Sequence, residues 1–310
     1  MNADQGTGQL ERAAFTVSLD FELMWGTKDR PYGESFRKLC VIERREVVDR
    51  LLALLAEFGI RATWGVVGNL FLKKDHEDPL LYGSELIERI RRCPVPQEIA
   101  SHTMTHEILG APTCTAAMAE RELGDWVRMA RANGVDFETL ILPRNCIGHL
   151  DVARRHGFRC YRGEDPAWYE SQPRVVRRFG HLLEILSART PASVMPLQNE
   201  GMYSIPGSML YTPAFGMRRC VPVWLRVLRA NRGLDAALRQ KRVFHLWFHP
   251  TDLTCRTEAM LHGLRQIFGR AARLRDAGQL DILPMRDLIP EIPADMEKGE
   301  QDHAEALSNA

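Results

Sequence analysis

The chain has only seven cysteines in 310 residues, an odd number, widely spaced and without a C-x-x-C pair. That excludes a thioredoxin motif or zinc ribbon and argues against a secreted disulfide framework; reduced, mostly buried thiols are expected. Long apolar runs are also missing, and nothing approaches the ~18–20 residues that a membrane-spanning helix requires. The opening stretch, Met1 to Leu10, is polar and Gly-rich, without the apolar core of a secretory signal. Charge of one sign is lacking as well. With 41 Lys+Arg against 40 Asp+Glu, the net charge of +1 offers nucleic acid no global field. No internal repeat or linker-like break in composition is visible. These absences leave a soluble globular enzyme or binding protein, expected to work in the cytoplasm.

What is present is a core-forming composition, 45% hydrophobic and 26% charged, organised as short β-rich runs alternating with longer helical patterns. The predicted strands are Phe15–Leu19, Ile60–Val67, Glu98–Ala100, Leu140–Leu142, Gly157–Tyr161, Val243–Phe248 and Leu280–Leu283. Helices are predicted over Glu43–Phe58, Ser84–Arg92, Thr115–Asn133, Leu150–His156, Pro173–Thr190, Cys220–Gln240 and Arg256–Ala277, several closed by Gly or Asn-Gly. Glu200–Pro213 reads as a Gly/Pro-punctuated excursion around one strand. Repeated strand–helix units imply parallel strands with crossover helices, as a barrel or a doubly wound sheet. One domain over 13–292 is the simpler expectation, with a flexible 1–12 and a polar, disordered tail over 293–310.

The chemistry-bearing residues follow predicted strands, where parallel α/β folds gather function on one face. Asp20 and Glu22 follow the first strand, His102 and His106 the third, Arg144 the fourth, and His249 the strand Val243–Phe248. His102 and His106 lie four apart, on one face of a helix if the segment is helical. Such a pair is a recurrent chelator, yet alone it is more often a solvated helix face. It is not H-E-x-x-H, because Thr103 stands where that motif has its base. A carboxylate from Asp20 or Glu22 would complete a three-ligand site with open positions. An isolated D-x-E, by contrast, is usually a surface turn. Arg144 can pair with one of these acids, although most arginines are surface residues. His249 ends a buried strand and has the pKa of a general acid, while His245 on the same strand shows that a core histidine is the alternative.

The ordered set Asp20-Phe-Glu22, Ala62-Thr-Trp-Gly-Val-Val-Gly68, Ala100-Ser-His102-x-x-x-His106, Pro143-Arg144 and Trp247-Phe-His249-Pro250 resembles the polysaccharide deacetylase family, the NodB-homology or carbohydrate esterase family 4 group. The resemblance runs from about Phe15 to Asp252. It implies an α/β fold, a distorted (β/α)7-8 barrel in a single domain, and metal-dependent hydrolysis of N-acetyl groups on amino sugars. It further implies Glu22, His102 and His106 as ligands of a divalent metal, Zn2+ first, with Co2+, Ni2+, Mn2+ or Fe2+ as alternatives. Asp20 would be the catalytic base, Arg144 the residue holding it, and His249 the acid that protonates the departing amine. The family's adjacent Asp-Asp is Asp-Phe-Glu here, so Asp20 and Glu22 can exchange roles. Its Arg-x-Pro is here Pro143-Arg144. For the acid that orients His249, Glu164 and Asp165 are the candidates.

The variant motifs are similar to those of members tied to surface-polysaccharide and lipopolysaccharide synthesis, which implies an N-acetylated amino sugar, nucleotide- or lipid-linked, as substrate. Arg218–Arg242 holds eight Lys/Arg against one Asp, interleaved with apolar residues. It could rest on an anionic membrane surface, although a solvated barrel helix is the commoner explanation. Nucleic acid is not expected as a partner, and the oligomeric state is left open. Two other readings remain: another amide hydrolase on the same barrel, allantoinase-like or deformylating, and a degenerate member that binds carbohydrate without cleaving it.

Overall fold

The computed structural model describes residues 8–28, 33–73, 78–166 and 188–290. The helix expected over Pro173–Thr190 falls largely outside these residues, as does the tail after Ile292. Among the described residues ten strands form one sheet: β1 (Ala13–Phe21), β2 (Thr63–Val66), β3 (Glu98–Ser101), β4 (Thr139–Leu140), β5 (Cys160–Gly163), β6 (Leu197–Asn199), β7 (Met202–Pro206), β8 (Met209–Leu210), β9 (Val243–Phe248) and β10 (Leu280–Ile282). Their order is β6-β7-β5-β4-β3-β2-β1-β9-β8, with β10 beside β1. All of these pairings are parallel except β6 with β7.

The sheet curls because one segment serves both of its ends. β7 pairs with β5 up to Pro206, and three residues on, at Met209, β8 begins to pair with β9. Between them Gly207 N–H donates to Gly163 O at 3.4 Å and Ser208 N–H to His245 O at 2.8 Å. The excursion expected over Glu200–Pro213 is thus the strap that draws the sheet into a distorted barrel. Gly207 is required where it crosses, since a Cβ there would collide with Asp165 and the Trp247 ring.

The helices α1 (Gly33–Ile42), α2 (Val48–Phe58), α3 (Ser84–Arg91), α4 (Ala116–Ala132), α5 (Leu150–Arg155), α6 (Val223–Gln240) and α7 (Thr257–Asp276) cover the sheet. Val48, Leu51, Leu52, Leu54 and Leu55 form the buried stripe of α2, and Gly59, at φ 64°, ends it in the left-handed conformation. Thr115 caps α4 by accepting from Met118 N. The first helical stretch begins at Gly33, ahead of the Glu43 expected, and passes through a π turn at Glu43–Val47. Its early part was illegible as a periodic element because Cys40 is its only fully buried residue.

Strand β1 is buried along all nine residues. Alternation splits it into two chemistries. Phe15 meets Phe244 and Phe268 in the apolar layer, whereas Thr16, Ser18 and Asp20 build a polar interior column. Ser18 Oγ lies 2.8 Å from His245 Nε2, and His245 Nδ1 lies 3.0 Å from Pro206 O. Burial, with Arg162 nearby, pushes His245 down to about 3, so it is a neutral core histidine. This column leads to the carboxyl ends of the strands.

Candidate metal centre and its cleft

Glu22 leaves the end of β1, and His102 the end of β3. Nε2 of His106 lies 2.9 Å, and Nε2 of His102 3.3 Å, from the same Glu22 Oε2. The segment between the histidines is not helical. Thr103 and His106 take left-handed φ of 58° and 61°, and this loop, rather than one turn of helix, sets the ring centroids 5.1 Å apart. His102 Nδ1 lies 2.7 Å from Ile141 O, so Nδ1 carries the proton and Nε2 offers its lone pair inward.

Asp20 is held differently from the sequence expectation. Arg162, on β5, grips both of its oxygens, Nη1 to Oδ1 at 2.5 Å and Nη2 to Oδ2 at 2.7 Å. Asn145 Oδ1 accepts from Arg162 Nε and Nη2, and the guanidinium stacks 4.4 Å from the Trp247 ring centroid. Arg144 is not the partner of Asp20. The Pro143–Asn145 turn puts Arg144 at φ 61°, and its Nη2 donates to Gly26 O at 2.8 Å on the cleft wall. Arg162 was reachable by the strand-end rule, because it directly follows the predicted strand Gly157–Tyr161.

A second correction concerns His249. Its Nδ1 faces Asp252 Oδ2 at 3.2 Å, and the same oxygen accepts from His249 N at 2.9 Å, closing a capping box. Asp165 instead accepts from Trp247 Nε1 at 3.0 and 2.9 Å, and Glu164 is exposed. The signal for Asp252 was local: an acid three residues after the histidine, in capping register. Nε2 of His249 points at both acids, 3.7 Å from Asp20 Oδ2 and 3.7 Å from Glu22 Oε1.

Burial opposes ionisation of Glu22, yet His249, His102 and His106 outweigh it and hold the carboxyl well below the usual range. Asp20 is likewise lowered, with Arg162 and then His249 overcoming burial. For His249, burial is outweighed by Asp252, Glu22 and Asp20, which raise it to about 10. Glu22, His249, Thr251 and Asp252 line a cleft of about 720 Å³. Phe36, Leu39, Leu210, Pro213 and Phe215 form apolar walls, with Arg144 and Arg218 among them.

Glu22, His102 and His106 each offer one ligand atom, and the three lie within 4.8 Å of one another. All three residues are buried, and His106 Nδ1 has no hydrogen-bond partner among the described residues. Two imidazoles and a carboxylate converging in a buried site fit a borderline divalent cation.

The segment 218–242 is less free than its composition suggests. Arg226 donates to the carbonyl oxygens of Thr212 and Pro213 at 2.8 and 2.9 Å, Arg229 to Arg189 O at 3.3 Å, and Arg232 to Ala188 O at 2.5 Å. Trp224 is exposed on the same helix. No helix among the described residues is long and apolar enough to cross a membrane. All seven cysteines are free: Cys40, Cys114 and Cys160 are buried, and Cys220 is exposed.

No protein-family model matches the chain, and no curated protein does. Solved structures do share the fold. A protein from Mycobacterium smegmatis, described as a polysaccharide deacetylase, superposes with a TM-score of 0.65 at 16% identity, over 95% of this chain and 98% of that one. A protein from Pseudomonas aeruginosa PAO1 with the same description gives 0.62 at 12%, over 89% of each chain. The PuuE allantoinase gives 0.62 at 12%, over 93% of each. The fold is therefore the distorted barrel of polysaccharide deacetylases, with an allantoinase among the proteins that share it.

Proposed function

We propose that the protein is a metal-dependent hydrolase that removes the N-acetyl group from an amino sugar. The observation carrying this reading is the convergence of the Glu22–His102–His106 cluster with two oriented pairs, Asp20–Arg162 and His249–Asp252, with His249 Nε2 3.7 Å from both Asp20 and Glu22. Glu22, His102 and His106 would hold the cation, Zn2+ being the first expectation. The chemistry such a cation supplies when bound is Lewis acidity toward an amide carbonyl and toward water.

The chain's own residues supply the proton transfers. Asp20, kept ionised by Arg162 against burial, is the base that removes a proton from the attacking water. Arg162 fixes the carboxylate in one orientation through two parallel bonds. His249, protonated through Asp252 and facing the same acids, gives its proton to the departing amine, which is otherwise a poor leaving group. The split between Asp20, bound to arginine, and Glu22, bound to histidines, supports base and ligand roles in that order. Arg144 and Arg218 along apolar walls suit a sugar carrying phosphate, as a nucleotide- or lipid-linked donor does.

The test is acetate release from a panel of N-acetylated nucleotide sugars, with and without chelator, beside the metal content of the purified protein. Acetate formed only with metal present is the expected result. Full acetate release by Glu22→Ala would sink the reading. The fold shared with PuuE allantoinase supports one alternative, another C–N amide hydrolase, recognised by a ring-opened product and no acetate.

A further inference from the structure

Glu43 is a buried acid that the mechanism above does not use. It lies at the start of the Glu43–Val47 π turn joining α1 to α2 and has no exposed surface. The π turn has a geometric consequence. One residue more than an α-helical turn changes which side chain faces inward, and such turns often occur at functional sites. Here it directs a carboxyl against the turn Pro250–Leu253, where Thr251 Oγ1 donates to Glu43 Oε2. Oε1 has no hydrogen-bond partner among the described residues. A fully buried acid with one unanswered oxygen is costly, and a helix-packing residue needs no such group.

Thr251 stands between the two functional residues of its turn. His249 is the N-cap of that turn, Asp252 closes the capping box, and Thr251 and Asp252 both line the cleft floor. The hydroxyl of Thr251 thus ties the turn carrying the His249–Asp252 pair to the helix behind it. We propose that Glu43 is a positioning residue: through Thr251 it fixes the turn that aims His249 and Asp252 into the cleft. The inference rests on the hydrolase reading and adds a residue to it.

The charge state follows from the surroundings. Cys40 faces Glu43 from α1, Glu22 from the end of β1, and His249 and Asp252 from the turn. Burial, with Glu22 and Asp252, raises Glu43 to about 8 against the Thr251 bond and His249. At neutral pH it is therefore a neutral acid that can bond Thr251 without adding a charge beneath Asp252. Ionisation above about 8 introduces that charge beneath the His249–Asp252 pair, while the bond from Thr251, which favours the ionised form, persists.

The experiment compares the metal-loaded wild type with Glu43→Gln, Glu43→Leu, Thr251→Val and Thr251→Ser, measuring kcat, KM, metal affinity and melting temperature from roughly pH 6 to 10. Glu43→Gln should keep kcat within about twofold near neutrality and lack the change in pH profile that the added wild-type charge beside His249 and Asp252 brings as pH passes about 8. Glu43→Leu and Thr251→Val should lose roughly 10- to 100-fold in kcat, with KM and metal affinity within about twofold. Thr251→Ser should restore activity. Glu43→Gln should gain in melting temperature relative to the wild type as pH rises toward about 8 and keep that gain above it. The proposal is overturned if Glu43→Leu matches the wild-type kcat per folded molecule, or if Glu43→Gln and wild type keep parallel pH profiles. Should Glu43→Leu not fold, Thr251→Val decides the same point. A wild type that cleaves no amide overturns the hydrolase reading instead, and parallel melting of Glu43→Gln and wild type across the range then overturns the role of Glu43 separately.

Discussion

Glu98 and Glu22 are both buried acids in the same barrel, one at the amino ends of the strands and one at the carboxyl ends. Glu98, the first residue of β3, accepts from Thr63 Oγ1 at 2.5 Å, from Thr139 Oγ1, and from Arg286 N at 3.4 Å. Thr63 and Thr139 are themselves the first residues of β2 and β4, so adjacent strand starts answer both carboxyl oxygens with hydroxyls. At the other end Glu22 shares one oxygen between two imidazoles, and His106 Nδ1 and Glu43 Oε1 have no hydrogen-bond partner among the described residues. Satisfied polar groups stabilise a fold; unsatisfied ones persist where something other than stability maintains them. The amino end is a sealed plug and the carboxyl end a poised site, the division expected of parallel barrels.

The comparison is tested most severely at the cluster. Glu22→Ala or His102→Ala should lower amide hydrolysis by roughly 10³-fold or more and abolish tight metal binding, read by product release and metal content. Next comes the pair behind it. Arg162→Ala leaves Asp20 buried without its cation, which should cost about 3–5 kcal/mol in denaturant unfolding and lower kcat by roughly 10²-fold. Arg144→Ala should stay within about tenfold in kcat and within about 1 kcal/mol, because Arg162 and not Arg144 holds Asp20. Equal effects of the two substitutions would erase the distinction between them. At the amino end, Glu98→Ala should destabilise by about 1–3 kcal/mol, leaving two threonine hydroxyls unanswered, without changing kcat per folded molecule.

These predictions also mark how far the sequence was legible. Strand β9 matched its predicted bounds, because VFHLWF is apolar and β-rich between clear breaks. Asp20, Glu22, His102, His106 and His249 meet in one place because a parallel sheet gathers its strand ends, a rule that needs only strand positions. The partners were harder. Arg162 and Arg144 both follow strands, and only the left-handed turn after Pro143 decides that Arg144 swings to the wall. His102 and His106 kept helical spacing without a helix, since two positive φ values are not encoded by residue type there. Glu43 looked like an ordinary first-turn acid. Its burial depends on a π turn that no hydrophobic period announces.

The smallest expected effect is also the one that separates the ends most finely. Burial raises Glu98 above its ordinary 4.5, against the bonds from Thr139 and Thr63. An acid whose folded pKa is raised binds more protons folded than unfolded, so its contribution to stability is full below about 4.5 and declines as pH rises toward the folded value. Glu98→Gln removes that decline, so its unfolding midpoint should improve relative to wild type as pH climbs above about 4.5. Glu43→Gln should show a gain of the same sign at higher pH, since that acid reaches about 8. Only Glu43→Gln, however, should also change the pH profile of kcat. If Glu98→Gln altered that profile too, the plug would be coupled to the site through β3, which carries Glu98 at one end and leads to His102 at the other, and the barrel's ends would not be separable.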